Sequence, residues 1–468
     1  MENALYPFSL QVVTRLFPLQ RGGYIHTPTP SNRLSCGIFA FKHEIRPGLG
    51  VLFSSRGHGS RDIARPVPLW SARLPPTVRL LWTAYIPLCQ TAFMRIEPFR
   101  IEHYFAQHEF SAKYLLASSD AESRTIRDVL DLEPGSHDKF LQQWCGYTEV
   151  SGAPELREVI AATYTRISPD QVLVLSCAEE GILVLYHALV GPEDHVIVET
   201  PCYESGLQLA RSTGAKVSEW RRRPQDNWAH DLDALEKLLQ PNTKVIYVNT
   251  PHNPTGLLMP RKILEPVLRL AAQREITVFC DEVYRGMEHN PADRLPAACD
   301  LYERAVSMGS MSKIYGLAGL RLGWFACRDA RILQRCADFK LYTTISSSAS
   351  SEFLSAVALR HREVILNRNL EIVRKNLALL DVFFKKRGEL FDWVRPNAST
   401  IGFARFKPAR NVQKFSVQEF CDDVVSKSGV MLLPGSVYDE PQHIRFGYGR
   451  KNMPEALEHF DAYLERNA

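Results

Sequence analysis

One lysine stands in a run of small and hydroxylated residues, Ser310-Met311-Ser312-Lys313-Ile314-Tyr315-Gly316-Leu317-Ala318-Gly319-Leu320-Arg321. A lysine so placed is poorly solvated, and desolvation lowers its pKa toward the neutral amine. A neutral amine attacks a carbonyl to give a Schiff base. Ser310, Ser312 and Arg321 put two hydroxyls and a guanidinium nearby, and an arginine gives a phosphate a charge-assisted fork. Asp281 ends an apolar run, where an acid is costly unless a cation pairs with it. Arg445 is flanked by apolar strand residues, and an arginine there is rarely left unpaired. An aldehyde cofactor that carries a phosphate suits the lysine and the groups beside it, and that describes pyridoxal phosphate (PLP).

The elements that must position these residues follow from local pattern. Gln171–Leu175 reads as a strand, Ser176–Gly181 as a small-residue turn, and Ile182–Val190 as an apolar helix. Backbone N–H groups at such a helix start face an anion. Main-chain contacts are expected from Ala178 and Glu179, with the carboxylates of Glu179 and Glu180 turned away from the phosphate. His195–Glu199 is a further strand, and Tyr203 just beyond it is a flat aromatic able to stack on a pyridine ring. Lys244–Val248 is a buried strand running into Asn249-Thr250-Pro251-His252-Asn253-Pro254-Thr255-Gly256. Glu275–Cys280 delivers Asp281, with Tyr284 three residues on; Glu282 reads as an ordinary turn or helix-start acid. Ala305–Gly309 leads into the lysine stretch, and Arg321–Ala326 is the strand after it. Residues 95–106 suggest a short amphipathic helix, followed by an extended run from Phe110 to Ser119. Towards the C-terminus come a long helix from Val364 to Arg387, a strand from Thr400 to Phe406 and a Ser416/Glu419 capping box. Strands alternating with helices predict an α/β fold with a mostly parallel sheet, and a ligand site at the strands' carboxyl ends.

Over residues 95–468 the chain resembles the fold-type I PLP-dependent aminotransferases of class I/II. The resemblance is carried by the lysine stretch, by His252-Asn-Pro-Thr-Gly256, and by Tyr147 followed by Gly152, Pro154, Leu156 and Arg157. It implies a large PLP-binding domain, a smaller α+β domain and the following roles. Lys313 is the Schiff-base lysine and general base. Asp281 pairs with the ring nitrogen, and Asn253 and Tyr284 hydrogen-bond the phenolic oxygen. Tyr203 stacks on the ring, and Ala178, Glu179, Ser310, Ser312 and Arg321 hold the phosphate. Tyr147 reaches the phosphate of a neighbouring subunit, so a homodimer is implied. Arg445, helped by Asn253, takes the substrate's α-carboxylate. The bond before Pro254 is often cis in relatives, and Ser118 and Ser119 fall near a substrate strap. Cys177 departs from the family's usual glycine, which tightens backbone approach.

The implied reaction moves an amino group between an L-amino acid and a 2-oxo acid. The same site also runs elimination (C–S lyase) or cyclisation, and some of the wording is reminiscent of a capreomycidine-synthase-like branch. A ligand sensor with a DNA-binding N-terminus is disfavoured, because residues 1–93 lack a helix-turn-helix pattern. Those residues hold ten arginines or lysines against three acids, with ten prolines and seven glycines. They read as a mitochondrial transit peptide or as a non-native extension, with Met94 as an alternative start. The division expected is residues 1–93 as extension, 94–140 as arm and part of the small domain, 141–346 as the large domain and 347–468 as the small one. The net charge of +4 leaves the body after residue 93 nearly neutral, which argues against a nucleic-acid surface. No run has the length of a membrane span, and dispersed cysteines suggest a reducing, cytoplasmic setting. No metal cluster at zinc spacing is present in the sequence.

Overall fold

Apolar runs rich in Val, Ile and Phe build a central sheet in the computed structural model, which describes residues 96–407 and 416–467. The reading of residues 1–93 lies outside the described residues. The first strand, β1 (Tyr114–Leu115), belongs to the N-terminal arm. The central sheet comprises β2 (Val172–Leu175), β3 (His195–Thr200), β4 (Lys216–Arg221), β5 (Thr243–Asn249), β6 (Thr277–Asp281), β7 (Ala305–Ser310) and β8 (Gly323–Ala326). Their order is β2-β8-β7-β6-β5-β3-β4, parallel throughout except that β8 runs against both its neighbours. Strands β3, β6 and β7 are buried at every position, as a sheet covered on both faces requires. Alternation along β5 shows why: Val245 and Tyr247 join one core, while Ile246 and Val248 join another.

A second sheet lies in the C-terminal part. It holds β9 (Phe391–Trp393), β10 (Ile401–Phe406), β12 (Leu433–Pro434) and β13 (His443–Gly447), in the antiparallel order β12-β13-β10-β9. The short β11 (Val430–Met431) pairs in parallel with β1 and so ties the arm to this part of the chain. Phe391, Phe406, Phe420, Phe446 and Phe460 pack as an aromatic cluster beneath the sheet.

Boundaries moved where backbone chemistry intervened. Cys177 is an extended N-cap, its Sγ accepting from the Glu180 N–H at 3.3 Å, so the helix begins at Ala178 rather than Ile182. Arg321 has φ +48°, a left-handed conformation that no strand tolerates, so β8 begins at Gly323. The N-terminal helix is Arg100–His108, and only Tyr114–Leu115 of the expected extended run is strand. The long helix spans Arg362–Lys386, and the Ser416/Glu419 capping box is present.

Beneath the carboxyl edge of the sheet lies an ionic cluster that sequence patterning passed over. Buried Glu199 accepts from Arg222 at 3.2 Å, His230 at 2.7 Å and the Asn249 N–H at 2.9 Å. Burial alone would raise its pKa, but the hydrogen-bonded His230 and the Arg222 guanidinium hold it well below the usual carboxylate range. Removing one partner of such a group strands the other in the core. Glu199→Ala is expected to cost about 3–5 kcal/mol in urea unfolding; a loss below about 1 kcal/mol would refute the assignment.

Candidate active site

Four parallel strands end together, and each hands a side chain or a turn to one cleft. β6 ends at Asp281, which is buried and forms no ion pair among the described residues. Its carboxyl accepts from the Tyr247 hydroxyl and the Val283 N–H, both at 3.2 Å. Burial pushes its pKa up to about 6, held back by those two donors and by Lys313. β5 ends at Asn249, whose Nδ2 donates to the Asp281 carbonyl at 3.0 Å and whose Oδ1 accepts from the Asn253 N–H at 2.6 Å. His252 clamps this turn, with Nδ1 against the Thr255 hydroxyl at 2.8 Å and Nε2 against the Pro201 carbonyl at 2.9 Å. Burial pulls its pKa down to about 3, so it serves as a neutral brace. The peptide bond before Pro254 is cis, as are those before Pro201 and Pro251.

Lys313 follows β7 by three residues. Its Nζ donates to the Ser119 hydroxyl at 3.0 Å, and its carbonyl accepts from the Ala121 N–H at 2.9 Å. Burial lowers its pKa, Arg445 adds to the effect, and Asp120, Glu102 and Asp281 oppose it. Tyr284 is 1% exposed, and its hydroxyl is buried without a hydrogen-bond partner. Arg445 comes from β13, also 1% exposed. Its Nη1 donates to the Tyr438 hydroxyl at 2.5 Å and to Asn253 Oδ1 at 3.3 Å, and its Nη2 donates to the Ala117 carbonyl at 2.8 Å. Its Nε is buried with no partner, a donor left for an incoming acceptor.

The phosphate-side residues are gathered unevenly. The Ser310 and Ser312 hydroxyls lie 2.6 Å apart. Gly323 sits under the start of the Ala178 helix, where an added Cβ would stand 2.9 Å from the Ala178 nitrogen. Glu180 is turned away, its carboxylate accepting from the Ser176 N–H at 2.6 Å and from the Thr343 and Thr344 hydroxyls at 2.5 and 2.7 Å. Glu179 lies near Ser205 and interacts electrostatically with Glu102, Asp281 and Lys313. Burial pushes its carboxyl up to about 7, which weakens the repulsion expected of an ionised acid. Arg321 is exposed and donates only to the Ala318 carbonyl, at 3.4 Å, so the structure does not bring it to Ser310 or Ser312. Tyr203 stands at the cleft, its hydroxyl donating to Glu102 at 2.5 Å and its ring set edge-on to Phe99 at 5.1 Å. Tyr147 is 81% exposed and outside this cleft.

The residues fit PLP by their chemistry. A buried carboxyl without a cation suits a ring nitrogen, and an orphaned tyrosine hydroxyl suits a ring oxygen. Paired serine hydroxyls beside free helix N–H groups suit a phosphate, and a desolvated amine suits an aldehyde. Sequence reasoning missed Tyr247 under Asp281, Tyr438 beside Arg445, and the Asp120–Arg450 ion pair at 2.8 Å next to Lys313. It placed Glu282 as a turn acid, whereas the residue is buried and accepts from the Ala298 N–H at 2.8 Å. No local pattern signals these residues, because each partner is distant in sequence.

The sequence model described as "Aminotransferase class I and II" matches residues 114–460, about three quarters of the chain. The chain belongs to that family. Its members depend on PLP, and this chain is a PLP-dependent enzyme of the aminotransferase class. It is 28% identical over 351 residues to a capreomycidine synthase of Streptomyces vinaceus, covering 74% of this chain and 88% of that one. It is 27% identical to an aspartate aminotransferase of Thermotoga maritima, covering 74% and 95%. A solved PLP-dependent aminotransferase from Streptococcus suis 89-1591 superposes with a TM-score of 0.75 at 28% identity, covering 80% and 98%. Among the described residues no helix is long and apolar enough to cross a membrane.

Asp281 gives the cofactor-free protein a distinctive pH dependence. In the folded chain it keeps its proton to about pH 6, whereas an unfolded aspartate loses it near ~4. The folded state therefore binds the extra proton between these values. Its contribution to stability is complete below the unfolded pKa and is lost as pH rises through the folded one. Asp281→Asn should abolish that decline, making the cofactor-free variant more stable than wild type near neutral pH by up to about 3 kcal/mol and equal to it near ~4. Urea unfolding across this range measures the difference, and parallel curves for the two proteins would contradict it.

Proposed function

We propose that the protein transfers the amino group of an L-amino acid to a 2-oxo acid, with Lys313 as the cofactor-bearing lysine and general base. The observation that carries this reading is the convergence of Lys313, Asp281, Tyr284, Asn253 and Arg445 on one cleft from segments up to 192 residues apart. Bound PLP supplies an aldehyde and an electron-withdrawing ring. The chain supplies the rest. Asp281 holds a proton on the ring nitrogen, and Asn253 and Tyr284 hold the ring oxygen. Tyr203 packs on the ring, and Ser310, Ser312 and the Ala178 and Glu179 main chain hold the phosphate. Arg445 docks the α-carboxylate and so fixes which α-carbon bond faces the ring. Lys313, made less basic by burial, takes the α-proton and returns it to a different carbon.

Elimination or cyclisation is the second reading, supported by the relative named a capreomycidine synthase. Substrate charge is constrained by the cleft itself. Glu102 and Glu179 form no ion pair among the described residues, and both interact electrostatically with the Lys313 amine or its neighbours. A substrate bringing a second carboxylate would meet Glu102, so the dicarboxylates suggested by the relatives named aspartate aminotransferases are disfavoured. One experiment addresses reaction and substrate together. Donors with neutral, cationic and anionic side chains are added to holoenzyme, and loss of the cofactor's visible absorbance is followed, with keto acid and ammonia assayed. Neutral or cationic donors should react at least about tenfold faster than aspartate or glutamate, and keto acid should form only stoichiometrically without an acceptor. Catalytic ammonia release without an acceptor would favour the lyase reading. A Lys313→Ala variant that kept lysine-linked cofactor would sink the lysine assignment.

The assembly we propose is a homodimer. Leu141, Trp144, Tyr147 and Tyr342 are 82%, 76%, 81% and 90% exposed in the single chain, and large apolar side chains at that exposure suit an interface. Tyr147 would then complete the phosphate site of the other subunit. Trp144→Glu with Tyr342→Glu should yield monomers by light scattering and weaken PLP binding about tenfold or more. Monomers that bind PLP as the wild type does would contradict the role given to Tyr147.

A further inference from the structure

The arm segment Leu116–Glu122 is fixed to every part of the cleft. The Leu116 carbonyl accepts from the Gly447 N–H at 2.8 Å, the Ala117 carbonyl from Arg445 at 2.8 Å, and the Ser119 carbonyl from the Thr400 hydroxyl at 2.6 Å. Asp120 pairs with Arg450 at 2.8 Å, and the Ala121 N–H donates to the Lys313 carbonyl at 2.9 Å. A Cβ on Gly447 would fall 2.0 Å from the Ser118 carbonyl oxygen, so β13 runs directly against the segment. Lys313 is therefore held at two points, main chain to Ala121 and Nζ to Ser119. The Ser119 hydroxyl has donor and acceptor capacity, and the buried Tyr284 hydroxyl interacts with it.

We propose that Ser119 is a positioning residue for Lys313: it holds the amine whenever that nitrogen is not covalently engaged, and aims it for proton transfer. This rests on Lys313 being the reactive lysine. While Lys313 is engaged elsewhere, Ser119 can turn its hydroxyl to Tyr284, so neither group is stranded. When Lys313 is released, the amine returns to a fixed oxygen rather than sampling its rotamers. A hydroxyl accepts a stronger hydrogen bond from an ammonium than from an amine, so Ser119 also favours the charged form slightly. It works among the charged groups that face Lys313 from the other elements: Glu102 on the N-terminal helix, Asp120 on the arm, Glu179 on the Ala178 helix, Asp281 on β6 and Arg445 on β13.

The test compares wild type, Ser119→Ala and Ser119→Thr. In cofactor-free protein, the pH dependence of Lys313 acylation by trace acetic anhydride, read by peptide mass spectrometry, gives the amine's pKa. Ser119→Ala should lower it by about half to one unit, and Ser119→Thr should restore it. In holoenzyme, Ser119→Ala should lower kcat about tenfold with KM nearly unchanged, again restored by threonine. An unchanged amine pKa together with unchanged kcat in the alanine variant overturns the proposal. So does an alanine variant whose KM rises while kcat is kept. Borohydride reduction and peptide mapping of the same holoenzyme report separately whether Lys313 carries the cofactor, so a failure of that assignment is distinguished from a failure of Ser119.

Discussion

Burying an amine is the constraint on which the rest of this structure depends. Lys313 stands in the core of the cleft, where an ammonium without compensation is costly. The chain answers without a close ion pair: Nζ donates to a neutral hydroxyl, while Asp120, Glu102 and Asp281 act from beyond contact distance. A tight salt bridge would have fixed the charge and removed the nucleophile. Diffuse compensation leaves the amine less basic than an exposed lysine while keeping it in place. Asp281 is the mirror image, a buried carboxyl braced by two neutral donors and in no ion pair among the described residues.

Those two conditions explain the architecture around them. Parallel strands bring their carboxyl ends to one edge, so Asn249 and Asp281 stand side by side and Ser310 follows two residues beyond Met308, the partner of Asp281. The second sheet contributes Arg445, which is buried and anchored to Tyr438, Asn253 and Ala117. The arm closes the arrangement, because β1 pairs with β11 and the following residues run across the cleft. Arg100 fastens the N-terminal helix to Glu204 at 2.7 Å and to Asp439 at 2.8 Å, which sets Glu102 against Tyr203. The exposed pair with Asp439 contributes little to stability, whereas the pair with buried Glu204 anchors the helix that carries Glu102.

The acids are where this chain departs most from simple expectation. A phosphate site would be weakened by an ionised Glu179, and the sequence suggested that both neighbouring acids would face outward. Glu180 is turned away, held by Ser176, Thr343 and Thr344. The Glu179 carboxyl is pushed up to about 7, because desolvation penalises its charge more than Ser205 and Lys313 favour it. Glu102 adds a second acid to this side of the cleft, where it accepts from the Tyr203 hydroxyl.

The sequence by itself determined the strand–helix alternation, the parallel sheet and the residues with unusual chemistry in unusual surroundings: Lys313 among small residues, Asp281 at a buried strand end, Asn253 between proline turns, Arg445 in an apolar strand. These were legible because burial and backbone demands are written locally, in runs, caps and turns. Only the tertiary structure decided which of them meet. The Ser119 contact with Lys313 spans 194 residues, the Tyr438 and Arg445 contacts with Asn253 span 185 and 192, and the Glu199 cluster joins two strands and the segment after β4. A hydroxyl, an amide or an acid carries no local mark of a partner so distant. The same reason left Arg321 and Tyr147 facing outward in the single chain although their motifs were plain. A motif records which group is available, and the fold decides what that group reaches.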